Sequence, residues 1–263
     1  MDLGLKGKRA VVLAASRGLG YACAMGLAQE GCDLVICSRS LERAEAAAEK
    51  IRGATGVRIT AVSADVSQKA ELENVVATCV EQYGGVDIVV HNAGGPPAGG
   101  FEATAEPSWY KAFEQNLMSF VWLSHAAIPH MKAGGYGRII AITSSSIKQP
   151  IPNLVLSNAM RTGVLGTAKT MAGELAPHGI LVNVVAPGTI ATERIDELNQ
   201  ANASKSGKTV DEVRQATINR IPLGRLGRPD EFANMVVFLA SEKASYITGS
   251  VMMVDGGIVA ALQ

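Results

Sequence analysis

Short apolar, β-branched runs alternate with longer amphipathic stretches along this chain. The short runs fall at 9–15, 33–37, 58–63, 87–91, 138–143, 181–186 and 250–254. They carry little polar alternation, the pattern of strands covered on both faces. Between them, 19–30, 41–52, 69–83, 108–132, 158–176 and 229–239 place apolar residues at helical spacing. Gly31 and Gly53 follow two of these stretches as helix stops, and Pro177 closes another. Strand–helix alternation of this kind predicts βαβ units and a parallel sheet. Right-handed crossovers then put helices on both faces, so the expected architecture is α/β, a doubly wound Rossmann-type fold.

One segment breaks the rhythm. Residues 189–225 are polar and charged, offer no strand, and contain a turn at 204–208 between two short helical patterns. They follow the C-terminal end of a strand, where sheets of this class place segments that cover ligands. A substrate lid is expected there, within a single domain spanning 1–263.

Composition narrows the function classes. Hydrophobic residues are 48% of the 263 and charged residues 18%, which excludes a disordered chain. Lys+Arg is 24 and Asp+Glu is 24, so no net positive charge favours nucleic acid. No window offers about 18 uninterrupted apolar residues, so no membrane span is expected. The start, MDLGLKGKRA, has no signal-peptide pattern. Cys23, Cys32, Cys37 and Cys79 form neither a C-x-x-C pair nor a zinc-spaced cluster. They read as free thiols in a reducing compartment, so a cytoplasmic location and no metal are expected.

The candidate chemistry begins after the first strand, where Ala14-Ala15-Ser16-Arg17-Gly18-Leu19-Gly20 leads into a helix. Glycines in such a turn let the backbone approach a pyrophosphate, and the helix start supplies N–H donors and a positive dipole end. The second strand ends in Cys37-Ser38-Arg39, without the acid that binds a ribose 2′-OH in NAD sites. Arg39, joined by Arg17, suits a 2′-phosphate, because guanidinium binds phosphate as a planar fork. Asp65, followed by Val66, can accept from an adenine amine, and Asn92-Ala93-Gly94 offers small residues where a flat cofactor would lie. His91 by itself reads as a packed core histidine.

These pieces, in this order, resemble the short-chain dehydrogenase/reductase superfamily over nearly the whole chain, from about Leu5 to Gly257. The segments that carry the likeness include AASRGLG, DVS, HNAGG, GRIIAITSS, VNVVAPGTIAT, IPLGRLGRPDEFANMVVFLAS and SYITGSVMMVDGG. Among family members, 3-oxoacyl-[acyl-carrier-protein] reductases look most similar. The resemblance implies a seven-stranded sheet of order 3-2-1-4-5-6-7, an NAD(P)H cofactor, a small carbonyl or alcohol substrate and a homotetramer. It also implies that the backbone at Pro187, Gly188 and Ile190 holds the nicotinamide amide. Asn116, Ser144, Ser157 and Arg161 fall at the positions of the family's catalytic residues.

Two departures stand beside these matches. Leu13-Ala14 replaces the Thr-Gly that opens the family's glycine turn. At the chemistry, the family has Tyr thirteen residues after the serine and Lys four further on. Counting from Ser144 reaches Ser157 and then Arg161, and no Tyr lies between Tyr136 and Tyr246. A Ser hydroxyl is a far weaker acid than a phenol beside an ammonium. Arg161 stays charged and cannot relay a proton as Lys can, while Lys148 is a nearby side chain able to titrate. Two readings remain open: an NADP(H)-dependent oxidoreductase with an atypical site, and a cofactor-binding protein without turnover that acts as a sensor or structural partner.

Overall fold

The computed structural model describes residues 1–261. β1 (Arg9–Val12), β2 (Asp33–Ser38), β3 (Ile59–Ser63), β4 (Ile88–His91), β5 (Gly137–Ile142), β6 (Ile180–Pro187) and β7 (Val251–Val254) form one sheet. Its order is β3-β2-β1-β4-β5-β6-β7, with every pair parallel. The order in which strands are laid across the sheet reverses between β1 and β4, where Val11 pairs with both Val35 and Val89.

Side-chain alternation splits the core into two layers. Val12, Leu34, Ile36 and Val90 pack with Leu27 of α1 (Gly18–Gln29), Ile51 of α2 (Leu41–Thr55) and Phe232 of the helix Pro229–Ala240. Their neighbours Val11, Val35 and Val89 face the other way. They meet Leu72 of α3 (Lys69–Tyr83), Phe120 and Leu123 of the helix Ser119–Gly134, and Val164 of the helix Val155–Leu175. Both sides of each strand are buried, hence the unbroken apolar runs.

Several boundaries differ from the sequence reading. The run 9–15 stops being a strand at Val12, because Ala14 turns into the left-handed region at φ 48°. α2 passes through Gly53 to Thr55, and the left-handed cap is Gly56, at φ 74°. The stretch 108–132 is not one α-helix. It comprises α4 (Glu106–Ala112), a π-helical segment Phe113–Met118 and α5 (Ser119–Gly134). Apolar spacing continues on both sides of the π segment, so periodicity alone does not reveal it. α6 (Val155–Leu175) starts earlier than the expected 158. The segment 189–225 holds α7 (Glu193–Ser206) and α8 (Val210–Ile218), parted at Gly207 and followed by α9 (Pro229–Ala240).

Candidate active site

A cleft of about 750 Å³ opens over the C-terminal ends of the strands, at the topological switch point between β1 and β4. One end is built by the β1–α1 turn. Asn92 Nδ2 donates to the carbonyls of Leu13 (3.4 Å) and Ala14 (3.3 Å), tying the turn to the end of β4. A Cβ at Gly20 would lie 2.4 Å from the Ala14 carbonyl oxygen and 2.8 Å from Asn92 Nδ2. Only glycine lets α1 start this close to the turn. Ala14, Ser16, Arg17, Gly18 and Leu19 line the cleft above it, and Gly20 lies beneath. Ala14 holds its positive φ with a methyl group attached, a conformation that costs an L-residue roughly 1–2 kcal/mol.

Ser38 and Arg39 line the cleft at the end of β2, with Asp65 and Val66 beside them. Ser38 Oγ donates to the Ser40 carbonyl at 2.7 Å. Asp65 Oδ1 accepts from the Ser67 N–H (2.9 Å) and hydroxyl (2.8 Å). Arg39 is exposed, and Arg43 from the first turn of α2 joins it. Arg43 was missed from sequence, although its place one helical turn beyond Arg39 is visible there. Arg17 is engaged differently from the expected arginine pair. It is ion-paired with Glu193, and with Glu197 at 3.7 Å, both on α7.

The other end carries Ala93, Gly94, Ser144, Ser157, Arg161, Pro187, Gly188 and Ile190. Ser144 Oγ accepts from the Ser146 N–H at 3.2 Å. Ser157 and Arg161, one turn apart on α6, are both 8% exposed. Arg161 Nη1 donates to the carbonyls of Ile142 (3.1 Å) and Thr143 (2.9 Å), and its Nη2 to that of Ala93 (3.5 Å). Burial, with a smaller contribution from Arg194, pushes its pKa down to about 10, so it remains charged at neutral pH.

Asn116 does not line the cleft. It sits behind the wall in the π segment, where its Nδ2 donates to the Gly94 carbonyl at 3.1 Å. Lys148 also falls outside the cleft lining, half-buried just after a 3-10 turn. His91 is a core residue, as its sequence setting suggested. Its Nε2 lies 2.8 Å from Ser119 Oγ, and burial, then Arg161, lowers its pKa to about 3. Of the expected lid, α7 supplies Glu193, Arg194, Ile195, Glu197 and Leu198 to the cleft, while α8 supplies none. The first turn of α7 lies within the expected lid, but its cleft-lining residues were not singled out from sequence, where only their charges mark them.

Residues 13–259 match the family described as Enoyl-(Acyl carrier protein) reductase. Dehydrogenase/reductase SDR family member 4 of Sus scrofa is 36% identical over 259 residues, covering 98% of this chain and 89% of the relative. The chain is a short-chain dehydrogenase/reductase. This family member is also 36% identical to the 3-oxoacyl-[acyl-carrier-protein] reductase of Staphylococcus aureus, over 95% of this chain and 98% of that one. Its fold superposes on L-sorbose reductase from Gluconobacter frateurii, complexed with NADPH and L-sorbose. The TM-score is 0.95 at 33% identity, with complete coverage of both chains. A polyketide ketoreductase solved with NADPH matches at a TM-score of 0.93 and 30% identity, covering 99% of each chain. Among the described residues, no helix is long and apolar enough to cross a membrane, and no cluster of His, Cys, Asp or Glu is arranged to hold a metal.

Proposed function

We propose that this short-chain dehydrogenase/reductase is an NADP(H)-dependent oxidoreductase of a carbonyl/alcohol pair, working through an atypical site. The observation that carries this reading is the single cleft. It joins the glycine turn to Ser144, Ser157 and Arg161. Gly20 brings the start of α1 close under Ala14, and Ala14, Ser16, Arg17 and Gly18 line the cleft at the helix start, the position suited to a pyrophosphate. At the adenosine end, Arg39 and Arg43 face the cleft and β2 ends without an acid, which favours a 2′-phosphate. The L-sorbose reductase neighbour, complexed with NADPH, supports the same cofactor.

When bound, the nicotinamide supplies hydride. The protein orients the carbonyl and steadies charge on its oxygen. Ser144 and Ser157 offer hydroxyl donors, and Arg161 adds a fixed positive charge. Neither serine is an efficient acid, and Arg161 holds its protons, so water delivers the proton. The reading is reductase-like in the manner of the 3-oxoacyl-[acyl-carrier-protein] reductases. One observation favours non-catalytic cofactor binding: Arg161 commits three of its five N–H donors to backbone carbonyls.

Two measurements on the purified protein test this. NADPH should bind more tightly than NADH, and Arg39→Asp should weaken NADPH while sparing or improving NADH. Equal affinity for the two cofactors would contradict the cofactor assignment. NADPH oxidation against a panel of ketones separates the enzyme from the sensor, because a sensor binds and consumes nothing.

A further inference from the structure

Two cations at the reactive end of the cleft lack full neutralisation by the protein. Arg161 is buried, and its only hydrogen bonds among the described residues go to three backbone carbonyls. Carbonyl dipoles solvate a guanidinium but leave its charge whole, and buried charges are ordinarily paired. Arg194, in the first turn of α7, reaches the same wall. Its Nη2 donates to the Pro96 carbonyl at 3.3 Å, and a Cβ on Gly95 would meet that nitrogen at 3.4 Å. The two guanidinium groups thus hold opposite ends of the strip 93–96, both facing the cleft. They are near enough that Arg194 helps hold the Arg161 pKa down. The one carboxylate on Arg194 is Glu197, at 3.4 Å, exposed and shared with Arg17. Lys111 of α4 and Glu114 of the π segment also line the cleft, one charge of each sign.

Building on the reading of the cleft as a carbonyl/alcohol site, we infer that its substrate is a small oxo acid, with the carboxylate bound by Arg194 in the field of Arg161. An anion placed between two like charges relieves both. A 3-oxoacyl thioester carries no charge near its reacting carbon and leaves the pair unrelieved. In the reduction, NADPH gives two electrons as hydride to the carbonyl carbon. The C=O π pair moves to oxygen, which takes a proton from water, and the oxo acid becomes a hydroxy acid.

The test compares pyruvate, acetoacetate and levulinate, each beside its methyl ester. Turnover is measured with NADPH, and binding by calorimetry to the protein with NADP+ and to the protein alone. A charge-assisted hydrogen bond is worth roughly ten- to a hundred-fold in affinity. At least one acid should therefore beat its ester by about ten-fold or more in binding and, where turnover occurs, in kcat/KM. Arg194→Ala should erase that preference and Arg194→Lys keep part of it, with NADPH affinity unchanged in both. Esters that bind as well as acids throughout, or a preference that survives Arg194→Ala, overturn the inference. Acid preference in binding without NADPH oxidation upholds it and removes the turnover reading. Loss of cofactor binding altogether removes the cofactor reading, and the comparison on the protein alone still decides for or against Arg194.

Discussion

Counting from Ser144 through ungapped flanks reaches Ser157 and Arg161 in the sequence, and both line the cleft. What the sequence left hidden is where the guanidinium goes. Arg161 reaches past the cleft floor to the carbonyls of Ile142, Thr143 and Ala93, a destination set by side-chain length and by the ends of β4 and β5. A lysine there has no planar fork to span those carbonyls. General acid–base catalysis contributes about 10² to 10⁴-fold. Ser157→Tyr with Arg161→Lys should therefore raise NADPH oxidation on an accepted ketone by at least about ten-fold, and Ser157→Tyr alone by less. A double variant that binds NADPH yet gains nothing would mean that the pocket has diverged beyond this pair. His91 supports a pH prediction. An unfolded histidine titrates near 6.5, and burial lowers the native value to about 3. Between those values the unfolded chain binds a proton that the native chain refuses. The contribution is thus complete above pH 6.5 and lost as pH falls through the window, by up to about 1.4 kcal/mol per pH unit. Urea unfolding at pH 7, 6 and 5 should show a shallower loss for His91→Gln than for the unchanged protein.

At the level of elements, alternation predicted helix and strand correctly and failed where the backbone does something local. The π segment Phe113–Met118 is the clearest case. Its conformation goes with tertiary bonds that no periodicity encodes: Gln115 and Asn116 side chains both donate to the Gly94 carbonyl, at 3.1 Å each. Ser119 Oγ, beside His91, donates to the Gln115 carbonyl at 2.6 Å. Gly94 and Gln115 face the cleft, so this element sets one wall of the site. The β1–α1 turn was legible as a motif, but the reason for Gly20 needed three dimensions. Gly20→Ala puts a methyl group against a backbone carbonyl and the Asn92 amide, neither of which can yield without opening the turn. Overpacking of this kind costs typically 1–3 kcal/mol, roughly. The variant should unfold at lower denaturant and bind NADPH at least about ten-fold more weakly, an effect of about 1.4 kcal/mol. Gly53→Ala, at an α2 position where nothing lies within 4 Å of the added Cβ, serves as the control: NADPH affinity should stay unchanged and stability should rise by about 0.5–1 kcal/mol.

For the whole molecule, strand–helix alternation was enough to place the chain among doubly wound α/β folds, because strands buried on both faces have little choice but to be apolar throughout. The strand order came from resemblance, since pairing between distant strands leaves no periodic trace. Assembly is the property at this scale that remains to be measured. Phe120 and Leu123 of α5 are fully buried against the sheet. The same helical region turns Trp122, Val121, Leu117 and Trp109 half outward, and leaves Phe113 41% and Tyr110 62% exposed. A helix that is apolar on more than its sheet side gains by burying the second side too. Equal counts of 24 acidic and 24 basic residues leave little net charge to oppose association of identical chains. The family resemblance implies a homotetramer in which this helical region and 158–176 meet their copies across a two-fold axis, and the apolar α4–α5 face is expected to form part of that interface. Multi-angle light scattering at micromolar protein should report about four times the chain mass. Phe113→Lys with Val121→Lys places two like charges in each copy of that face, doubled by the symmetry axis. The mass should then fall to that of a dimer or monomer while the circular dichroism of the fold is kept. A monomer in the unchanged protein, or an undiminished tetramer in the double variant, would move the interface to another surface.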